Sequence, residues 1–172
     1  SYPNTEVYEA MCYNYSAERD PRVQWPFGYG LSYTSFEYSG LRMDTSASTS
    51  DKSVSLSFDV TNTGKVVSDE IAQIYVSPTE EGQNIRPIQL QGFARVPLQP
   101  GETKTVKVKL YIEQFGYYTN DGVKQWNIAP GTFEVKVGAS SEDIRLSGKL
   151  ALTGDRMSKP LRDYYFSEVT VK

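Results

Sequence analysis

Val54-Ser55-Leu56-Ser57-Phe58-Asp59-Val60-Thr61-Asn62-Thr63-Gly64 places an apolar side chain at every second position, short polar ones between, and then breaks into a turn. Successive side chains of a strand point to opposite faces, so this stretch makes one apolar face and one wet face. The same period returns along the chain. Ala72, Ile74 and Val76 alternate with Gln73 and Tyr75, and Val106, Val108, Leu110 and Ile112 with Lys107, Lys109 and Tyr111. Phe133, Val135 and Val137 alternate with Glu134 and Lys136, and Ile144, Leu146, Leu150 and Leu152 share one face opposite Arg145, Ser147 and Lys149. Turn residues separate the runs: Asn62-Thr63-Gly64, Gln99-Pro100-Gly101, Asn120-Asp121-Gly122 and Ala129-Pro130-Gly131. Asn120-Asp121-Gly122, between Tyr117-Tyr118 and Gln125-Trp126, reads as a hairpin tip. No stretch holds a 3.6 period for three turns. The pattern predicts an all-β, antiparallel, immunoglobulin-like sandwich of about seven strands. Trp126 is the candidate for a large core or core-edge anchor.

Upstream of the strands lies Trp25-Pro26-Phe27-Gly28-Tyr29-Gly30-Leu31-Ser32-Tyr33-Thr34. Its glycines can take positive φ and its proline fixes φ. Trp25, Phe27, Tyr29 and Tyr33 are large apolar surfaces that a solvated linker would not carry. Residues 1–31 read as an irregular arm or linker from a preceding domain, 32–153 as the sandwich, and 154–172 as a tail with a short strand at Tyr164–Val171.

A length of 172 residues suffices for one good core with an extension. The net charge of −3 arises from interspersed acids and bases, with no basic cluster to track a phosphate backbone, so nucleic acid is not an expected partner. Histidine is absent, which removes Ser-His and Cys-His nucleophilic pairs and most zinc chemistry. Cys12 is the sole cysteine and forms no internal disulfide. No apolar run approaches the roughly 20 residues needed to span a bilayer. The chain begins with Ser1 and shows no signal peptide, so it reads as a processed product or a piece of something longer.

The residues from Pro26 to Thr34, with Phe36, resemble the lead-in to the C-terminal domain of family 3 glycoside hydrolases, the β-glucosidase and β-xylosidase group. Val60-Thr61-Asn62-Thr63-Gly64, Asp69-Glu70 through Gln73-Ile74-Tyr75-Val76-Ser77-Pro78, and Leu90-Gln91-Gly92-Phe93-Ala94-Arg95-Val96 follow in the same order. Pro100-Gly101-Glu102-Thr103, Trp126, Pro130 through Val135, and Val137 through Ile144 complete a likeness that covers about residues 26–150. The resemblance implies a fibronectin type III-like sandwich that follows a barrel bearing the nucleophile and an α/β domain bearing the acid/base. It also implies a periplasmic or secreted setting. On this view the chain is a non-catalytic accessory domain with no cofactor. It stabilises and docks on the preceding catalytic domains of the same polypeptide.

Site chemistry is sparse. Retaining glycosidases need two carboxylates about 5–5.5 Å apart. The adjacent pairs Asp69-Glu70, Glu80-Glu81 and Glu142-Asp143 would point to opposite faces of a strand, and each acid is expected to be solvated or bonded in a turn. No Gly-x-Ser-x-Gly elbow exists, and no spaced acid loop surrounds Asn120-Asp121-Gly122. Asn14-Tyr15-Ser16 fits a glycosylation sequon. No catalytic, cofactor or metal residue is assigned. Two surfaces remain. Trp25, Phe27, Tyr29 and Tyr33 would form an interdomain docking seam, or else fill the bottom of the domain's own core. Tyr117 and Tyr118, with Tyr8, Tyr13 and Tyr15 in the arm, would stack on a polysaccharide or oligosaccharide if the chain were a stand-alone carbohydrate-binding or adhesion module. The polar connection 78–89 is a candidate rim loop.

Overall fold

The computed structural model describes residues 24–79, 88–119 and 123–172. Seven long strands carry the architecture: β1 (Phe36–Met43), β3 (Ser53–Asn62), β4 (Ser68–Pro78), β5 (Gln89–Leu98), β6 (Thr103–Tyr111), β9 (Gly131–Gly138) and β10 (Ile144–Thr153). Between and after them lie the short strands β2 (Ser46–Ser48), β7 (Tyr117–Thr119), β8 (Gln125–Ile128), β11 (Met157–Lys159) and β12 (Glu168–Val171), and a 3-10 turn at Ile112–Phe115.

Two sheets face one another, one in the order β1-β3-β6-β12 and the other β2-β10-β9-β4-β5, beside a small sheet β11-β8-β7. The opening stretch behaves as its alternation demands. Val54, Leu56, Phe58 and Val60 of β3 are all buried, and β6 pairs with β3 from Ser53 opposite Tyr111 to Thr61 opposite Thr103. In an antiparallel ladder partners share a face, so Val106, Val108 and Leu110 join the same apolar layer. Ile74, Val96, Val135 and Leu150 of the second sheet meet them in a single core. Aromatic rings stack within it, Tyr38 on Phe58 at 6.1 Å and Phe115 edge-on to Phe133 at 5.3 Å.

Two features depart from simple alternation. The β2–β10 pair is parallel, where an antiparallel sandwich was expected throughout. The nominally wet face of β4 is also covered, because Gln73 and Tyr75 are buried along with Ala72, Ile74 and Val76. Strands buried on both faces lose the polar half of their signal, and at Gln73 the cover is the turn before β1.

The C-terminal stretch is woven into the sandwich. Strand β12 pairs with β6 and β11 with β8. Tyr164 stacks on Tyr111 at 3.8 Å, and the Glu113 carboxylate accepts the amide N–H groups of Asp163 and Tyr164 at 2.6 and 3.0 Å and binds Lys159. Trp126 sits at the core edge, half-buried, with its indole N–H donating to the Glu113 carbonyl at 2.9 Å and the Arg162 guanidinium 4.7 Å over its ring.

Candidate functional site

Pro26-Phe27-Gly28-Tyr29 closes a β-turn, with the Tyr29 amide donating to the Pro26 carbonyl at 3.1 Å. Gly28 sits at φ +78°, as the third residue of a type II turn requires. The turn lies flat on the outer face of β4. The buried Gln73 amide nitrogen donates to the carbonyls of Gly28 at 2.9 Å and Ala139 at 2.6 Å, while its oxygen accepts the Tyr75 hydroxyl. The Ser141 amide donates to the Phe27 carbonyl at 2.9 Å. A Cβ on Gly28 would overlap the Gln73 amide, so only glycine permits this approach.

A second anchor follows. Asn62, fully buried at the end of β3, accepts the Thr34 hydroxyl at 2.8 Å and the Gly64 amide at 3.1 Å, and donates to the carbonyls of Val66 and Leu98. The Thr63 amide donates to the Ser35 carbonyl at 2.9 Å. The backbone on either side of the aromatic run is therefore tied to the sandwich, yet the aromatic side chains stay outside it. Trp25 is 61% exposed and Tyr33 94%, with Phe27, Tyr29 and Leu31 also exposed. Trp25 and Tyr29 stack on each other with ring centroids 4.7 Å apart. The alternative in which these rings fill the domain's own core is not what the fold displays, since Tyr38 and Phe58 occupy that interior.

The tyrosine pair is divided. Tyr117 lies under the Arg156 guanidinium, 5.6 Å over its ring, and its hydroxyl accepts from the same arginine. Tyr118 is exposed and stands opposite Trp126 in the β7–β8 register. One ring face is thus taken by a cation and one hydroxyl-bearing ring remains bare.

The acids resolve into structural roles. Asp69 pairs outward with Arg95 at 2.5 Å, while Glu70 turns inward and accepts the buried Tyr38 hydroxyl at 2.7 Å. Glu70 was expected to be solvated or turn-bonded. It occupies the inward parity of Ala72 and Ile74, and the hydroxyl satisfies it there. Burial, with the Glu70 charge beside it, raises the Tyr38 phenol far above its usual range. Burial alone pushes the Tyr75 phenol up to about 12. Asp143 holds Arg145 at 2.8 Å, and that hydrogen bond lowers the carboxyl below its ordinary value. Arg145 also donates to the Phe36 carbonyl at 2.6 Å and covers the Tyr38 ring at 4.9 Å. No group of three or more metal-ligating side chains occurs among the described residues. No helix among them is long and apolar enough to cross a membrane.

The arm residues Tyr8, Tyr13, Tyr15 and Cys12, the sequon Asn14-Tyr15-Ser16, the tip Asn120-Asp121-Gly122, and Glu80, Glu81 and residues 82–87 of the candidate rim loop lie outside the described residues. Gln73 and Asn62, the two side chains that fix the aromatic run, were not signalled as site residues. The single hint was Gln73, a polar residue inside the otherwise apolar run Ile71-Ala72-Gln73-Ile74-Tyr75-Val76.

Residues 70–141 match the fibronectin type III-like domain family. A β-xylosidase of Formosa agariphila is 42% identical over 123 residues, a match covering 72% of this chain and 17% of that protein. The thermostable β-glucosidase B of Acetivibrio thermocellus is 38% identical over 134 residues, covering 78% of this chain and 18% of the relative. Among solved structures, a β-glucosidase of Kluyveromyces marxianus superposes with a TM-score of 0.73 at 34% identity, covering 83% of this chain and 17% of that one. The chain thus spans less than a fifth of the length of these relatives.

Proposed function

This chain belongs to the fibronectin type III-like domains of family 3 glycoside hydrolases, and on that premise we propose that it is a non-catalytic accessory domain. Its work is to dock on and stabilise the catalytic domains of a β-glucosidase-like enzyme encoded in the same polypeptide. Trp25, Phe27, Tyr29 and Tyr33 form the docking seam, with residues 1–31 as the link to the preceding domain, 32–153 as the sandwich and 154–172 as its tail. Hydrolysis of O-glycosyl bonds is the work of those other domains.

One observation carries the reading: an exposed aromatic run whose backbone is fixed by a buried glutamine. Holding large apolar rings in water on a rigid support is unfavourable, and each Å² of apolar surface covered returns roughly 25 cal/mol. Contacts between domains of one chain typically bury about 600–1,500 Å². Fixing the backbone beforehand removes most of the ordering cost of such a contact.

The test is calorimetry of the full-length gene product. With the seam intact, sandwich and catalytic domains should unfold in one coupled transition. Trp25→Ala with Tyr29→Ala should split it in two or lower the catalytic domain's midpoint by several degrees. An unchanged single transition would refute the docking role. A stand-alone carbohydrate-binding role is less well supported, because the Arg156 guanidinium covers one face of Tyr117.

A further inference from the structure

The sheet under the aromatic run continues the same surface. In the five-stranded sheet Gln73 is flanked by Gly138 of β9 on one side and by Phe93 of β5 on the other. Ile71 lies two residues along β4, opposite Arg95. Since Ala72, Ile74 and Ala94 turn into the core, Ile71, Gln73 and Phe93 turn outward. The linker turn covers Gln73 but leaves its neighbours bare: Phe93 is 60% exposed and Ile71 42%. A naked phenylalanine on β5 and isoleucine on β4 border Gln73, on which the turn between the stacked Trp25 and Tyr29 rests, and so extend one apolar patch rather than a scatter of single residues. Arg95 and Asp69 neutralise each other at its margin.

We infer that Ile71 and Phe93 complete, with Trp25 and Tyr29, one interdomain surface, and that its occupant is an apolar, weakly charged protein surface on the catalytic part of the same polypeptide. This rests on the docking role proposed above and adds the sheet face to it. Three observations favour that occupant over a sugar or a second copy. The patch is continuous through Gln73 with the linker, so a domain joined at that linker meets it at high effective concentration. The relatives carry more than four-fifths of their length outside the matched segment, so protein to cover such a face exists in each of them. Ile71 and Phe93 offer no hydrogen bond to a ring of hydroxyls, and the nearby arginine is already paired.

Hydroxyl-radical footprinting tests this by comparing the full-length gene product with the 172-residue chain. Labelling of Trp25, Tyr29, Ile71 and Phe93 should all slow at least five-fold in the full-length protein. Slowing of Trp25 and Tyr29 alone, with Ile71 and Phe93 unchanged, would overturn the inference while leaving the docking role standing. If none slowed, both would fall. Protection in the 172-residue chain that grew with its concentration would assign the face to a second copy. Protection brought on by cello- or xylo-oligosaccharide would assign it to sugar. Either of these would overturn the inference.

Discussion

The Gln73 side chain and the Gly28 carbonyl, 45 residues apart in sequence and 2.9 Å apart in space, join the linker to the sheet. Every hydrogen-bonding atom of that amide is used: two protons on two carbonyls, and the oxygen on the Tyr75 hydroxyl. Gly28→Ala introduces a Cβ into the amide and forces a non-glycine residue to positive φ. Strain of that kind costs about 1–3 kcal/mol, and the turn should lift to relieve it. The readout is Trp25 fluorescence, which should lose the signature of stacking on Tyr29, while the unfolding midpoint of the sandwich moves little.

Asn62 is the second joint and lies deeper. Asn62→Ala leaves the Thr34 hydroxyl, the Gly64 amide and two carbonyls without their partner. Buried polar groups stranded in this way cost about 1–3 kcal/mol each when water cannot reach them. Partial relaxation should hold the loss to roughly 2–3 kcal/mol, read from urea unfolding with an unchanged m-value. A loss below ~0.5 kcal/mol would contradict the joint's role.

Phe58 and Trp126 offer a contrast between centre and edge. Phe58 is wholly enclosed, so Phe58→Ala should cost about 3–5 kcal/mol. Trp126 is half-buried, capped by Arg162 and bonded to the Glu113 carbonyl, so Trp126→Ala should cost only about 1–3 kcal/mol. Equal losses in urea titrations would contradict the placement of Trp126 at the rim.

Alkaline pH should weaken the fold. A free tyrosine loses its proton near pH 10, whereas Tyr75 in the fold does so near about 12 because burial disfavours the phenolate. Tyr38 is shifted in the same direction by burial and by Glu70. The unfolded chain therefore binds fewer protons in this window, and stability falls as pH rises. The contribution is complete below about pH 10 and drains away toward about pH 12. Tyr75→Phe should flatten the slope of stability against pH between about 9.5 and 11.5 without abolishing it, since Tyr38 and Tyr111, both shifted in the same direction, remain. An unaltered slope would show that Tyr75 ionises as freely in the fold as outside it.

Glu113 ties down the tail through two backbone amides and Lys159. Glu113→Gln retains the shape and loses the charge, so the strap over Trp126 should open more often. Charge-assisted bonds of this kind are worth about 1.5–3 kcal/mol. Trypsin cleavage at Arg162, whose guanidinium is engaged by Trp126 and Tyr165, should accelerate about ten-fold or more. Cleavage at the wild-type rate would show that the strap is held without the Glu113 charge, by its strand pairing, the Tyr164 stack and the Arg162–Trp126 contact.

The sandwich was legible because its long strands obey a period of two, and Val54 through Val60 states that rule without interruption. Of the small strands, Glu168–Val171 and the paired Tyr117–Thr119 and Gln125–Ile128 were legible as a tail strand and the sides of a hairpin, whereas Ser46–Ser48 and Met157–Lys159 were not. Ser46–Ser48 has no apolar pattern, and its parallel pairing with β10 depends on backbone meeting backbone. Gln73 was hidden for a different reason. A polar residue at an outward position reads as solvated, and what buries it is a turn 45 residues upstream. Glu70 was misplaced by the same habit of reading acids as wet. Trp25, Phe27, Tyr29 and Tyr33 stood out by size alone, whereas Phe93 lay within a strand and passed for an ordinary member of it. Its bareness is a property of the outer sheet face it shares with Ile71 of the interior strand β4.

The bond from the Ser141 amide to the Phe27 carbonyl has a practical consequence for recombination. A chimera spliced between Leu31 and Ser32 would take Pro26–Leu31 from one parent and the β9–β10 hairpin from another, mating two halves of a socket never shaped together. A splice ahead of Trp25 would keep both halves from one parent, so grafts made there should retain the angle at which the module is mounted.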